Sequence, residues 1–349
     1  MNLKQLLLWF VLGFPLHSNA CDMCGCFMGI TPYDNQSSIQ VLHRYRAFNG
    51  YYGQNQEHLL FPSDRHFIKP TPNTLSLPVL VNQMRHGGAH GDTSQPEYSN
   101  KDYEVYQTTE LRVKYFIHNR IELNVFVPVN NFQSLEEGIT KYHSTGLGDI
   151  NVYTGIHIIR KIEVEGLQHR LIFGAGIKLP TGNMNVILNN ERIPLMMQSG
   201  TGSTDFFVSG NYILGIKKFG MNLTSMFKIN GTNRFNEKIL PSTAQYLNLF
   251  LRINKNNWTF IPAIQNYYEY TNGMLMNNEY MESTKMNVLY SGIGFDFFYK
   301  NIGLTTSFQL KIAEETSNGK LAGTSRLALG LTYNFKQKKY LINKSNKES

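Results

Sequence analysis

The segment C-D-M-C-G-C places Cys21, Cys24 and Cys26 within six positions, and these are the 3 cysteines of the chain. Three chemistries suit that spacing. C-x-x-C-x-C sets three soft ligands on one short segment, which fits monovalent copper, or zinc once a fourth ligand arrives from elsewhere. A disulfide between two of them fits an exported chain and leaves one thiol over. Lipid attachment at Cys21, behind Ala20, is the third; Ser18 stands where a lipoprotein signal prefers Leu, which favours ordinary cleavage. Haem attachment is excluded, because Gly25 occupies the position a histidine would need. A second set of ligands lies in M-R-H-G-G-A-H-G-D, where His86 and His90 follow Met84. With the thiols it would suit a protein that moves or senses copper or zinc, although scattered histidines in a glycine-rich loop also suit plain solvation.

The other chemistry-bearing residues are charges at every second position of apolar runs. Glu110, Arg112 and Lys114 alternate with Thr109, Leu111, Val113 and Tyr115; Glu122 and Asn124 alternate with Ile121, Leu123 and Val125. The same parity picks out Arg170, Lys178, Asp205, Lys228, Arg252, Asp296, Lys311 and Arg326, with Tyr153, His157 and Asn248 beside them. If the apolar parity faces lipid, these residues line the lumen of a barrel, either as a solute pathway or as a salt-bridged filling. The excess of cations over anions would suit anionic or polar solutes. No G-x-S-x-G, H-E-x-x-H or P-loop pattern assembles a nucleophile with its base, so a hydrolase is not expected.

What must position these groups follows from the pattern at larger scale. Residues 1–20 read as an export signal: Lys4, an apolar run from Leu6 to Leu16, and small residues before Cys21. That run is too short to span a bilayer, and no later stretch supplies eighteen consecutive apolar residues, so helical spans are excluded. The formal charge of +8 suggests nucleic acid only superficially. From Lys336 onward, five Lys and one Glu contribute +4, half of the total, in a short tail. The chain is 42% hydrophobic and 17% charged, with 20 Tyr and 22 Phe against 2 Trp, an aromatic excess suited to a membrane boundary.

Period-two alternation repeats along the chain in about twelve segments, of which 38–48 and 258–270 are the least regular. Links after the even segments are short, at 118–120, 160–168, 217–219, 254–257 and 299–301. Links after the odd ones are longer: 49–103, 131–147, 180–203, 231–244, 271–286 and 314–323. An even strand count with this asymmetry predicts an all-β, transmembrane, antiparallel up-and-down β-barrel with short periplasmic turns and long extracellular loops, in the outer membrane of a Gram-negative bacterium. The expected organisation is a signal at 1–20, a Cys-rich periplasmic segment at 21–36, a barrel at 37–336 and a basic tail at 337–349. Phe219, Trp258, Phe298, Tyr299, Tyr333 and Phe335 are expected in an aromatic girdle near the short-turn rim.

The last segment, G-L-T-Y-N-F at Gly330 to Phe335, resembles the C-terminal signal read by the barrel-assembly machinery. Three further stretches are G-L-G-D (Gly146, Gly148, Asp149), K-L-P-T-G (Lys178, Pro180, Gly182) and G-T-G-S-T-D (Gly200, Gly202, Asp205). In that order they resemble the family of bacterial outer-membrane proteins labelled as phenol-degradation-pathway components or as transporters, some of which also begin with C-x-x-C-G-C. The resemblance implies a pore or transporter embedded in outer-membrane lipid, carrying a small solute or metal ion. Two readings of these motifs stay open. In one, the glycines allow positive backbone angles or shape a loop, Pro180 ends a strand, and Asp149 and Asp205 orient loop amides. In the other, the loop between them folds over the mouth and narrows it.

Overall fold

The computed structural model describes residues 36–51, 101–161, 167–316 and 321–336. Twelve antiparallel strands form one closed sheet. They are β1 (Gln36–Tyr51), β2 (Tyr103–His118), β3 (Ile121–Glu136), β4 (Ile139–Leu147 continuing as Ile150–Lys161), β5 (Leu167–Leu179) and β6 (Asp205–Ile216). The second half comprises β7 (Phe219–Ile229), β8 (Ser242–Leu251 continuing as Ile253–Lys255), β9 (Trp258–Met276), β10 (Glu279–Tyr299), β11 (Ile302–Thr316) and β12 (Leu321–Lys336). Each strand pairs with its sequence neighbours, and β1 pairs with β12 from Gln36 opposite Lys336 to Tyr51 opposite Leu321. Closure leaves no edge, which is what a sheet in hydrocarbon requires, since lipid offers backbone groups no partner.

Alternation sets the two faces. In β2, Leu111, Tyr115 and Ile117 are exposed while Glu110 and Arg112 are buried. An aqueous protein buries such apolar side chains; here Phe219 is 71% exposed, Ile293 68% and Leu331 59%, all on the outside. That is the wall of a transmembrane barrel, and the packed core lies in the lumen instead. Leu42, Phe126, Tyr153, Phe207, Tyr246, Tyr267 and Tyr290 form one buried cluster there.

The short-turn rim matches the expected links, with Lys217, Asn256 and Lys300 at positive φ, the backbone that two-residue hairpin turns require. Several of the long links are different in kind. β3 runs to Glu136 and β4 resumes at Ile139, so 131–147 is a hairpin with a two-residue turn at Glu137 and Gly138. Likewise 271–286 is paired strand around a turn at Asn277 and Asn278, and β11 and β12 extend into 314–323. Sequence alternation fades in these ribbons because, beyond the hydrocarbon, neither face must be apolar, while the backbone ladder continues. Phe298 also departs from the expected girdle. It is 2% exposed and faces inward with Ile261 and Phe250, since parity sends its neighbours Phe297 and Tyr299 outward.

Candidate functional site

The three glycine-rich motifs, separated by up to 60 residues in sequence, converge at one place on the long-loop rim. β4 breaks at Gly148 and Asp149, whose strand role lapses so that both Asp149 carboxylate oxygens can turn toward the segment 180–204. Gly182 N donates to Asp149 Oδ1 at 3.0 Å, and Thr201 N and Oγ1 donate to Oδ2, each at 2.8 Å. Lys178 lies 3.0 Å from Asp149 and 2.7 Å from Asp205, and Lys228 lies 2.9 Å from the same Asp205 oxygen. Lys178 also donates to Thr201 Oγ1. Asp205 Oδ1 accepts from Ser203 Oγ at 2.8 Å and Gly231 N at 3.1 Å. Two lysines and two aspartates, all buried or nearly so, thus fasten both ends of one loop to the wall.

Space rather than backbone angle explains most of these glycines. Gly202 alone among the family-motif glycines has a positive φ, +70°. Gly146 and Gly148, expected at positive angles, are not; a side chain at Gly148 would come within 2.7 Å of Asn130 Nδ2 and 3.2 Å of Ser199 O. Gly182 and Gly200 press backbone on backbone, a Cβ on Gly200 falling 2.5 Å from Gly182 C. Gly182→Ala would meet Gly200 Cα at 2.7 Å and Gly148 C at 2.9 Å. Overpacking of that kind costs about 1–3 kcal/mol, so thermal unfolding in detergent should show a lower midpoint for this variant.

From its clamp the loop crosses the mouth. On one side Asn130 of β3 donates to Ser199 O at 2.7 Å, and Ser144 of β4 lies 3.0 Å from Ser199, oxygen to oxygen. On the other, Leu195 packs with Ile239, Met274 of β9 and Met281 of β10. β4 and β9 are five strands apart around a twelve-strand wall, so a segment touching both lies across the opening. Gln198 holds its fold from within, donating to Ile193 O and accepting from Val186 N, each at 2.9 Å. At the loop's tip Arg192 forks onto Glu237 at 2.7 and 2.9 Å.

Below the loop the lumen is crossed by side chains. Glu110 accepts from Arg44 at 2.5 Å and from Arg112 Nε at 2.7 Å. Arg46 of β1 reaches the far wall, where Nη1 donates to Glu269 of β9 at 3.0 Å. Arg326 of β12 sits directly opposite Arg46 in the ladder, with its guanidinium 3.6 Å from the centre of the Tyr267 ring. Both guanidiniums lie 5.6 Å from the Tyr290 ring, so tyrosine faces separate two like charges. The space among Arg44, Arg46, Tyr246, Gln309 and Arg326 measures about 20 Å³, room for roughly one water. Toward the short turns, His157 Nε2 is 3.1 Å from Glu122, Lys114 lies over Phe116, and Thr305 donates to Asp296 at 2.5 Å. Lys311 is 3.3 Å from Glu314.

The alternating charges named from sequence therefore face inward, and most meet a partner there. Arg44, Arg46, Glu269 and Tyr267 were not among them. They fall in the two least regular segments, where Leu42 and Ile261 place apolar side chains on the inner face and blur the alternation. Cys21, Cys24, Cys26, His86 and His90 lie outside the described residues. Among the described residues no group of three or more His, Cys, Asp or Glu is placed to hold a metal.

No protein-family model matches the chain, and no curated protein matches it by sequence. The fold is similar to that of an outer-membrane channel from Pseudomonas putida F1, with a TM-score of 0.62 at 12% identity, covering 90% of this chain and 100% of that one. The β domain of the Bordetella autotransporter BrkA aligns with a TM-score of 0.45 at 9% identity, covering 86% of this chain and 100% of that one. A Pseudomonas aeruginosa FadL homologue aligns with a TM-score of 0.36 at 7% identity, over 87% and 91%. The fold is thus that of Gram-negative outer-membrane barrels.

Proposed function

We propose that this chain is a gated outer-membrane channel for a small polar solute, with segment 180–204 as the gate. One observation carries the reading: the loop crosses the mouth, yet its roots are fastened by ionic and hydrogen-bonded contacts rather than by a deep apolar core. Apolar burial in the loop is limited to Ile193, Leu195 and Met197, of which Leu195 packs with Ile239, Met274 and Met281. Once released, polar groups of this kind can take water as their partner, so the freed loop is solvated rather than stranded. The export leader and the likeness in fold to an outer-membrane channel support the location and the class. The ordered glycine motifs support kinship with the phenol-degradation and transporter group, and coupling to copper or zinc rests on the Cys21, Cys24 and Cys26 motif.

A barrel without an open path is the second reading, favoured by the Arg46–Glu269 bridge across the lumen. Locking the loop separates the two. Ser144 and Ser199 oxygens are 3.0 Å apart, so cysteines at both positions lie within disulfide reach. In a background with the three native cysteines changed to serine, planar-bilayer conductance of the double variant should fall on oxidation and recover with reductant. Equal conductance in both states would remove the loop as the gate, and silence in both would favour the filled barrel.

A further inference from the structure

The outer face of the short-turn rim carries a cluster that a channel does not use. Lys255, Trp258 and Tyr299 are direct ladder partners across β8, β9 and β10, Lys255 opposite Trp258 and Trp258 opposite Tyr299. Direct partners point to the same side of a sheet, so Tyr299, half exposed on the lipid side, fixes all three as outward. Trp258 also lies 6.2 Å, ring to ring, from Phe297, another outward aromatic. Lys300 closes the group. Its N donates to Asn257 O at 3.0 Å, its φ of 53° turns the chain, and its ammonium sits 5.3 Å from the centre of the Tyr299 ring.

An indole and a phenol placed this way belong at the boundary between hydrocarbon and headgroups. A strand advances about 3.3 Å per residue, so lysines level with that pair or one residue beyond it bring their ammonium ends into the headgroup layer while their methylene stems lie along the wall. The rest of the rim has the same sign. In or beside each of the five short turns stands an exposed Lys or Arg: Arg120, Lys161, Lys217 with Lys218, Lys255 and Lys300. Glu163 and Glu165, the acidic residues of these turns, lie outside the described residues, and counting both against the six cations still leaves a positive collar. The long-loop rim is mixed instead: Glu136 pairs with Lys141 at 2.5 Å, and Glu137, Glu279 and Glu282 are exposed in its hairpins.

Cations level with interfacial aromatics suit a leaflet that contains anionic headgroups, where each gains attraction that a zwitterionic headgroup largely cancels. We infer that this rim binds an anionic phospholipid of the leaflet facing the short turns, with the phosphodiester of phosphatidylglycerol seated between Lys255 and Lys300 beside Trp258 and Tyr299. A soluble acidic partner would match the charge of the collar but not its outward aromatics, which face lipid rather than water. Binding depends on the barrel lying in a bilayer and not on its conducting, so failure here leaves the channel reading untouched.

Trp258 serves as the local reporter. With Trp9→Phe it is the single tryptophan of the chain, and in phosphatidylcholine vesicles its fluorescence is quenched by neighbouring lipids with brominated chains. Brominated phosphatidylglycerol should associate about fivefold more tightly than brominated phosphatidylcholine, the ratio expected of one lysine at an anionic surface, and added salt should shrink that ratio. Lys255→Gln and Lys300→Gln should each lower it and together bring it near parity, whereas Lys141→Gln on the opposite rim should leave it unchanged. Quenching by brominated phosphatidylcholine in the same variants verifies that the barrel is folded with Trp258 at lipid. Equal quenching by the two lipids before any lysine is changed would overturn the site and leave the collar to a soluble acidic partner. A preference that survives the double variant would overturn it as well, and one abolished only by removing residues 337–349 would assign the lipid to the basic tail.

Discussion

Replacing Asp205 with alanine is expected to lower stability by about 3–5 kcal/mol and to raise single-channel conductance. The side chain is fully buried, and one of its oxygens serves two ammonium groups at 2.7 and 2.9 Å. Without it, Lys178 keeps only the carboxylate of Asp149 and Lys228 loses its ion pair to Asp205, so positive charge is left in a recess shielded from water. The loop amides held by Asp149 then compete with Lys178, no longer shared with Asp205, for the same carboxylate, which loosens the gate at its root. Asp205→Asn retains shape and acceptor oxygen, so its effect on both measurements should be smaller. Thermal unfolding in detergent and bilayer recording read the two effects separately. A variant as stable as wild type would show that the four charges do not act as a clamp, and unchanged conductance would uncouple the clamp from the gate.

Glu269→Ala should be comparably costly, again about 3–5 kcal/mol, through a different route. Glu269 is fully buried and receives Arg46 from across the lumen at 3.0 Å. Arg46 and Arg326 are paired residue to residue on adjacent strands, an arrangement of like charges that is unfavourable in any ladder. Removing an anion from their surroundings raises that repulsion, while removing a side chain that spans the lumen opens space. The variant should therefore unfold at lower temperature and, once folded, show a reversal potential displaced toward anion permeation. Arg46→Met/Glu269→Met tests the cause. It removes both charges with similar volume, and recovery of most of the lost stability would identify the loss of the Arg46–Glu269 ion pair as the source. If the double variant is as weak as the single one, packing and not charge explains the loss.

Much of the wall was legible in the sequence because the bilayer enforces parity. A residue such as Leu111 or Leu331 must be apolar to face lipid, and Glu110 or Asp205 between such positions must face in. The interior obeys no comparable rule. Tyr267, Leu42 and Ile261 turn inward because the lumen is filled like a core, so polarity ceases to mark the face, and Arg46 and Glu269 were hidden among them. The ribbons at 131–147 and 271–286 passed for loops for the converse reason: where water touches both faces, strand and loop draw on the same residues. The loop clamp was half legible. Its glycines and aspartates stood out as motifs, yet only the fold brings Asp149, Lys178, Asp205 and Lys228 to one point, from four different strands or strand ends.

The opposed arginines at the junction of the first and last strands also bear on how the molecule assembles. That seam joins residues nearly 300 positions apart, so it forms late, after the intervening sheet exists. Zippering it brings two guanidiniums face to face, at a penalty eased where the tyrosines of β9 and β10 and the carboxylate of β9 meet them. A sheet still flat has no such relief, and its ends repel. Closing the seam is therefore less costly once the sheet is curved enough to bring β9 and β10 against it.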